Sequence, residues 1–206
     1  FQLEAWKLKR FEPILNKASM ALVVSKTDRD YLKTTYPTLV SHYLPSFHPG
    51  EDIYMDNKKE SYVLFHGNLS VAENIDAAVF LASVLKKTQY RFVIAGKKPS
   101  AEVMRLARTN SSIQLFADPD DATMESLVRK AQVNLLYTKE SAGLKLKLLY
   151  VLFNGGHVLC NQAMLIGTGL DGLCTIANDE QQLLTELDVL MHTPVTCLLY
   201  TSDAAD

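Results

Sequence analysis

A doubly wound α/β sheet is the fold class this sequence predicts, and three observations predict it. Short apolar runs of strand length recur along the chain, among them Met20-Ala21-Leu22-Val23-Val24, Tyr62-Val63-Leu64-Phe65, Phe92-Val93-Ile94-Ala95 and Val133-Asn134-Leu135-Leu136. Segments of helical period lie between them; residues 74–86 carry Ile75, Ala78, Val79, Ala82 and Leu85 on one face. The strands are nearly continuous in apolar character, as parallel strands covered on both faces are. Right-handed crossovers then wind the helices onto both sides of the sheet.

In chain order, a helix is expected over 3–17 and a strand over 20–24. A helix capped by Thr27 or Asp28 follows, then a strand over 40–44. Residues 45–52 hold two prolines and a glycine, which break both helix and strand, so a domain boundary is placed there. Beyond it, strands are expected over 62–65, 91–95, 113–117, 133–137, 158–160 and 175–177. Helices are expected over 74–86, 100–108, 123–130, 144–153 and 180–190, the last capped by Asn178 or Asp179. Asn154-Gly155-Gly156 stops the fourth of these helices.

The 206 residues carry a formal charge of −2, which offers nucleic acid no basic field. Their apolar runs fall short of the roughly 18 residues a membrane span needs. Three cysteines, Cys160, Cys174 and Cys197, lack metal-ligand spacing and point to a reducing, cytoplasmic setting. The opening at Phe1, already in helical pattern, leads us to expect a fragment of a longer protein. The last ten residues, CLLYTSDAAD, resemble translated read-through of a sequencing adapter and are set aside from the fold.

In a doubly wound sheet, ligands sit beyond the carboxyl ends of the strands. Three loops there hold the chemistry. After the strand at 62–65 comes His66-Gly67-Asn68, where glycine allows close backbone approach and a helix N-terminus follows. After 91–95, Lys97 and Lys98 can meet an anion or merely stand in water. After 133–137, Ser141-Ala142-Gly143 opens a helix whose free N–H groups face outward, with Lys145 close behind. A lysine in a first helical turn opposes the helix dipole unless an anion binds there. His66 borders the same cleft and suits either a ligand contact or a capping role.

These stretches resemble a known family. Ser141 to Leu149 followed by Gly155-Gly156-His157-Val158-Leu159 looks like the donor-site signature of retaining GT-B glycosyltransferases of the group 1, family 4-like type. SYVLFHGNLSVAEN and FVIAGKKPS resemble the first two strands and loops of their C-terminal domain, and TGLDGLCTIANDEQQLLTEL its closing segment. The GLKLKLL variant is especially like enzymes of Bacteroides-type bacteria. The resemblance implies a GT-B architecture: 1–46 as the end of an N-terminal acceptor domain, 47–60 as linker, 61–195 as a Rossmann-like nucleotide-sugar domain, and 196–206 as a foreign tail. It implies transfer of a sugar from a nucleotide-sugar to a glycan or lipid-linked acceptor, with no cofactor or metal required. A cytoplasmic location, at the inner membrane face as a peripheral protein, fits that chemistry. Donor-binding positions carried over are His66, Gly67, Asn68, Lys97, Glu140, Ser141, Ala142, Gly143, Leu144 and Lys145. The sequence departs from the family in three places. Tyr150 stands where many relatives have a ribose-binding glutamate, His157 where they have proline, and Asn68 and Glu73 where they have Arg and Lys. Two other readings share this architecture: an inactive nucleotide- or partner-binding module, and a sugar-nucleotide epimerase.

Overall fold

A computed structural model describes residues 2–44, 59–139 and 145–195. The chain divides into two units, residues 1–47 and 48–206.

In the first unit, helix α1 (Gln2–Phe11) passes into a 3-10 turn, Glu12–Lys17. The sequence pattern suggested one helix over 3–17. Pro13, at the start of the turn, has no N–H to give an α-helical bond, so the helix tightens there instead. Strands β1 (Met20–Val23) and β2 (Val40–Tyr43) pair in parallel, with α2 (Lys26–Thr35) between them. Helix α2 starts earlier than expected. Ser25, not Thr27 or Asp28, is its cap, accepting from the Asp28 N–H at 3.3 Å. A small core forms where Leu32, Tyr36 and Leu39 meet Leu15, Ala21 and Val23. The opposite strand face stays bare: Met20, Leu22, Val24 and Val40 are exposed.

The second unit is built on six parallel strands: β3 (Glu60–His66), β4 (Arg91–Gly96), β5 (Ile113–Ala117), β6 (Ala131–Leu136), β7 (His157–Cys160) and β8 (Thr175–Ile176). Their spatial order is β5-β4-β3-β6-β7-β8. The chain winds outward from β3 to β5, crosses back, and winds the other way from β6. That is the doubly wound order, and it puts the topological switch between β3 and β6.

Two apolar clusters cover the two faces. Val63, Phe65, Phe92, Ile94, Val133 and Leu135 pack under α3 (Ala72–Leu85), α4 (Ala101–Thr109) and α8 (Glu180–His192). Ala77, Ala78 and Ala82 on α3 let that helix lie close to the sheet. On the other face, Tyr62, Leu64, Val93 and Ala95 pack with Val128 of α5 (Asp121–Lys130) and Leu148, Val151 and Leu152 of α6 (Leu146–Asn154). Side-chain caps begin three helices: Ser100 for α4, Asp120 for α5 and Asp179 for α8. Each such cap contributes about 1 kcal/mol. A short helix α7 (Gln162–Leu165), absent from the sequence expectation, follows β7.

The N-terminal ends of the strands are tied to their surroundings. His157 meets the Thr193 carbonyl at 2.9 Å, and Gln132 donates to the carbonyls of Leu190 and Thr193 at 2.9 and 2.7 Å. Lys59 donates to the Arg129 carbonyl at 2.6 Å.

Candidate functional site

The carboxyl ends of β3 and β6 form a crevice at the switch between the two halves of the sheet. Its floor is Gly67. A Cβ placed on Gly67 would sit 3.0 Å from the Lys147 ammonium and 3.2 Å from the Asn74 amide. Gly96 makes this floor possible: a Cβ there would come within 1.8 Å of the Gly67 carbonyl oxygen. The two loops are laced by backbone bonds, Gly67 N–H to Ala95 O at 3.1 Å and Leu69 N–H to Lys97 O at 2.8 Å.

The turn after Gly67 is held by Asn68. Its Oδ1 accepts from the Ser70 N–H at 3.1 Å and from the Ser70 hydroxyl at 2.8 Å. Asn74 Nδ2 donates back to the Asn68 carbonyl at 3.0 Å. The Asn68 side chain therefore shapes the loop.

Two basic side chains line the crevice. His66 ends β3 and is buried, and its Nε2 has no hydrogen-bond partner among the described residues. Loss of solvent, helped by the Lys147 charge, pushes its pKa down to about 3. The imidazole is thus neutral at ordinary pH and holds one donor and one acceptor nitrogen. Tyr150 of α6 stands edge-on to it, with ring centres 6.4 Å apart.

Lys147 lies in the first turn of α6. Its ammonium reaches Asn74 Oδ1 at 3.4 Å and stands 5.5 Å from the centre of the Phe65 ring. Desolvation is the main cause that pushes its pKa down to about 8; Glu73 opposes the shift and Lys145 adds to it. Glu73 in turn accepts a hydrogen bond from the Thr138 hydroxyl. Thr138 is fixed by Asn161, whose Oδ1 accepts from its N–H at 3.2 Å and whose Nδ2 donates to its carbonyl at 2.6 Å.

The sequence-derived positions distribute unevenly around this centre. His66 and Gly67 lie in it, and Asn68 braces its rim. Lys145 takes the N-cap position of α6, its carbonyl accepting from Leu148 and Leu149. Lys97 is exposed at the end of β4. Next to it, Lys98 adopts a left-handed backbone (φ 52°) and donates its N–H to Asp118 Oδ1 at 2.7 Å. Glu140, Ser141, Ala142, Gly143 and Leu144 lie outside the described residues. Lys147, Glu73, Asn74 and Thr138 were not singled out as site residues from sequence. Lys147 is the second lysine in the Leu144–Leu148 alternation, two residues after Lys145, and that spacing alone does not say which of the two enters the crevice.

A cavity of about 530 Å³ opens elsewhere, where α5 leaves β4 and β5 uncovered, over Val93, Gln114 and Phe116. Its charged rim is already paired, Arg91 with Glu60 at 2.9 Å and Lys130 with Glu60 at 3.7 Å. Of the buried side-chain atoms that lack a partner among the described residues, His66 Nε2 is in the crevice, whereas Ser41 Oγ and Asn134 Oδ1 lie elsewhere. Among the described residues no helix is long and apolar enough to cross a membrane, and no three His, Cys, Asp or Glu side chains group to hold a metal ion.

No family model and no curated protein matches the chain. Solved structures do. The crystal structure of TarM aligns with 89% of this chain and 40% of its own, at 14% identity and a TM-score of 0.68. A point mutant of S. aureus TarM in complex with fondaparinux, α-GlcNAc-glycerol and UDP aligns with 90% of this chain and 39% of its own, at 13% identity and a TM-score of 0.67. AviGT4, a glycosyltransferase involved in avilamycin A biosynthesis, aligns with 88% of this chain and 59% of its own, at 12% identity and a TM-score of 0.55. The chain thus spans about two fifths of TarM and three fifths of AviGT4. At these identities the likeness is one of fold, and the fold is the Rossmann-like arrangement of GT-B glycosyltransferases.

Proposed function

We propose that the protein is a glycosyltransferase, and that residues 61–195 are the domain that grips its nucleotide-sugar donor. The observation that carries this reading is the crevice at the sheet's switch point. There a glycine floor admits a ligand to the backbone, a neutral buried histidine whose Nε2 has no partner among the described residues stands beside it, and a desolvated lysine is held by a long bond to Asn74. The fold shared with TarM and AviGT4 supports the same conclusion.

The chemistry requires such a place. Transfer breaks the bond between the sugar's anomeric carbon and the donor's diphosphate, forms a bond from that carbon to an acceptor hydroxyl oxygen, and leaves a nucleoside diphosphate, with the hydroxyl's proton passing to the departing phosphate or to solvent. Positive charge and N–H donors set against the departing phosphate stabilise the charge that develops there. The retaining stereochemistry, and a glycan or lipid-linked acceptor, follow from the family resemblance. So does a cytoplasmic location at the membrane face, with no metal needed. The bare apolar face of β1 and β2 supports reading residues 1–46 as part of a larger acceptor domain, since parallel strands are stable with both faces covered.

One observation favours a second reading. Tyr150, standing where the family has its ribose-binding glutamate, presses its edge on His66. A module that holds a nucleotide without turning it over would tolerate that exchange.

Thermal-shift titration with nucleoside diphosphates and their sugars tests the first claim, because a ligand that binds the folded state raises its melting temperature. A selective shift with one nucleotide is expected. Absence of any shift would remove the donor-site reading. Binding without sugar transfer or donor hydrolysis would leave the inactive module.

A further inference from the structure

We propose that Lys147, delivered by α6 across the glycine floor, is the cation that meets the donor's diphosphate, with His66 hydrogen-bonding the same group. The inference rests on the donor-site reading above and goes beyond it by naming which side chains supply charge and contact.

The loop that forms the floor cannot supply that charge. From His66 to Asn74 its side chains are neutral except Glu73, which is acidic. Asn68, at its centre, is committed to Ser70. An anion entering over Gly67 would therefore meet no positive side chain from β3 or its loop. Lys147 fills the gap from the opposite wall. Its Nζ lies 3.0 Å from the point a Gly67 Cβ would occupy, so any residue larger than glycine would press on the ammonium.

The present partners of Lys147 are poor ones. Its hydrogen bond runs to a neutral amide at 3.4 Å, the long end of the useful range. Its nearby acid, Glu73, is engaged by Thr138. A buried ammonium with a long bond to an amide is costly unless a better acceptor arrives. His66 repeats the pattern: buried, neutral, and with Nε2 lacking a partner among the described residues. A phosphate oxygen between the two would satisfy both, taking a charge-assisted bond from Lys147 and a hydrogen bond from the imidazole.

The electrostatic surroundings of Lys147 sharpen the test. Glu73 on α3 holds its proton on, Lys145 at the head of α6 drives it off, and His66 on β3 is uncharged at neutral pH. A ligand that needs the charged ammonium must lose affinity as pH rises above about 8.

Isothermal titration of the full chain with uridine, guanosine and adenosine diphosphates and with the matching nucleosides decides the matter. The preferred diphosphate should bind at least tenfold tighter than its nucleoside. Lys147→Gln should abolish that difference, Lys147→Arg should restore most of it, and Lys86→Ala, at the exposed end of α3, should change it less than twofold. In Lys147→Arg the weakening above pH 8 should vanish, which mere misfolding would not produce. If the wild type binds a diphosphate and Lys147→Gln binds it equally well, the assignment of Lys147 is wrong while the donor site stands. If the wild type binds no diphosphate better than its nucleoside, the donor-site reading fails and this inference with it.

Discussion

His66 and His157 sit in the same sheet, both buried, at opposite ends of its strands. His157 begins β7, and its Nε2 is paired with the Thr193 carbonyl at 2.9 Å. His66 ends β3, and its Nε2 has no partner among the described residues. The difference follows from the architecture. At the amino ends, connecting segments return to the sheet and bring carbonyls with them, as the end of α8 does for His157. At the carboxyl ends, where the winding direction reverses, neighbouring loops diverge and leave a gap. A buried polar atom without a partner is destabilising by roughly 1–3 kcal/mol. The proposed donor would offset that cost at His66, so in this proposal one histidine serves the fold and the other the ligand.

The largest expected effect comes from closing the gap. Gly96→Ala puts a methyl group within 1.8 Å of the Gly67 carbonyl, and backbone on both sides must move. We expect a loss of about 3 kcal/mol or more in denaturant unfolding, on the scale of severe core strain, together with loss of nucleotide binding.

Acid separates the two histidines next. The folded protein holds His66 neutral down to about pH 3, whereas the unfolded chain takes up that proton near 6.5. Between those values the unfolded state binds more protons, so stability falls as pH falls. The slope approaches about 1.4 kcal/mol per pH unit for one such group. His66→Asn should flatten this acid limb in urea-unfolding series run from pH 7 to 4. If the wild type and the variant lose stability in parallel, His66 is not buried as described.

His157→Ala should cost about 1–3 kcal/mol, because it removes a buried imidazole and its bond to the Thr193 carbonyl, leaving Gln132 as that carbonyl's side-chain partner. Nucleotide affinity should not change, since the residue lies at the far end of the strands. A loss of affinity by titration calorimetry would break the contrast between the two ends. Lys97→Ala, at an exposed position, should shift stability by no more than about 0.5 kcal/mol.

The sheet was legible in the sequence because its strands are uninterrupted apolar runs and its helices carry caps and small apolar faces. The positions of His66 and Gly67 were legible too, since a glycine after a strand marks a carboxyl-end loop. Lys147 was not. The helix-dipole argument draws attention to Lys145, which opens the helix. Which lysine enters the crevice depends on how α6 is rotated over Leu148, Val151 and Leu152, and that is set by tertiary packing. Glu73 and Thr138 meet across 65 residues of chain, a pairing no local pattern announces. His157 looked like a family proline gone astray. Its bond to Thr193 shows what the imidazole does in that place.

A structure of the protein with its preferred nucleoside diphosphate tests the central claim most directly. The account predicts the diphosphate over Gly67, with phosphate oxygens within hydrogen-bond distance of Lys147 Nζ and His66 Nε2. A nucleotide seated elsewhere, such as the cavity over Val93 and Phe116, with His66 and Lys147 untouched, would contradict it.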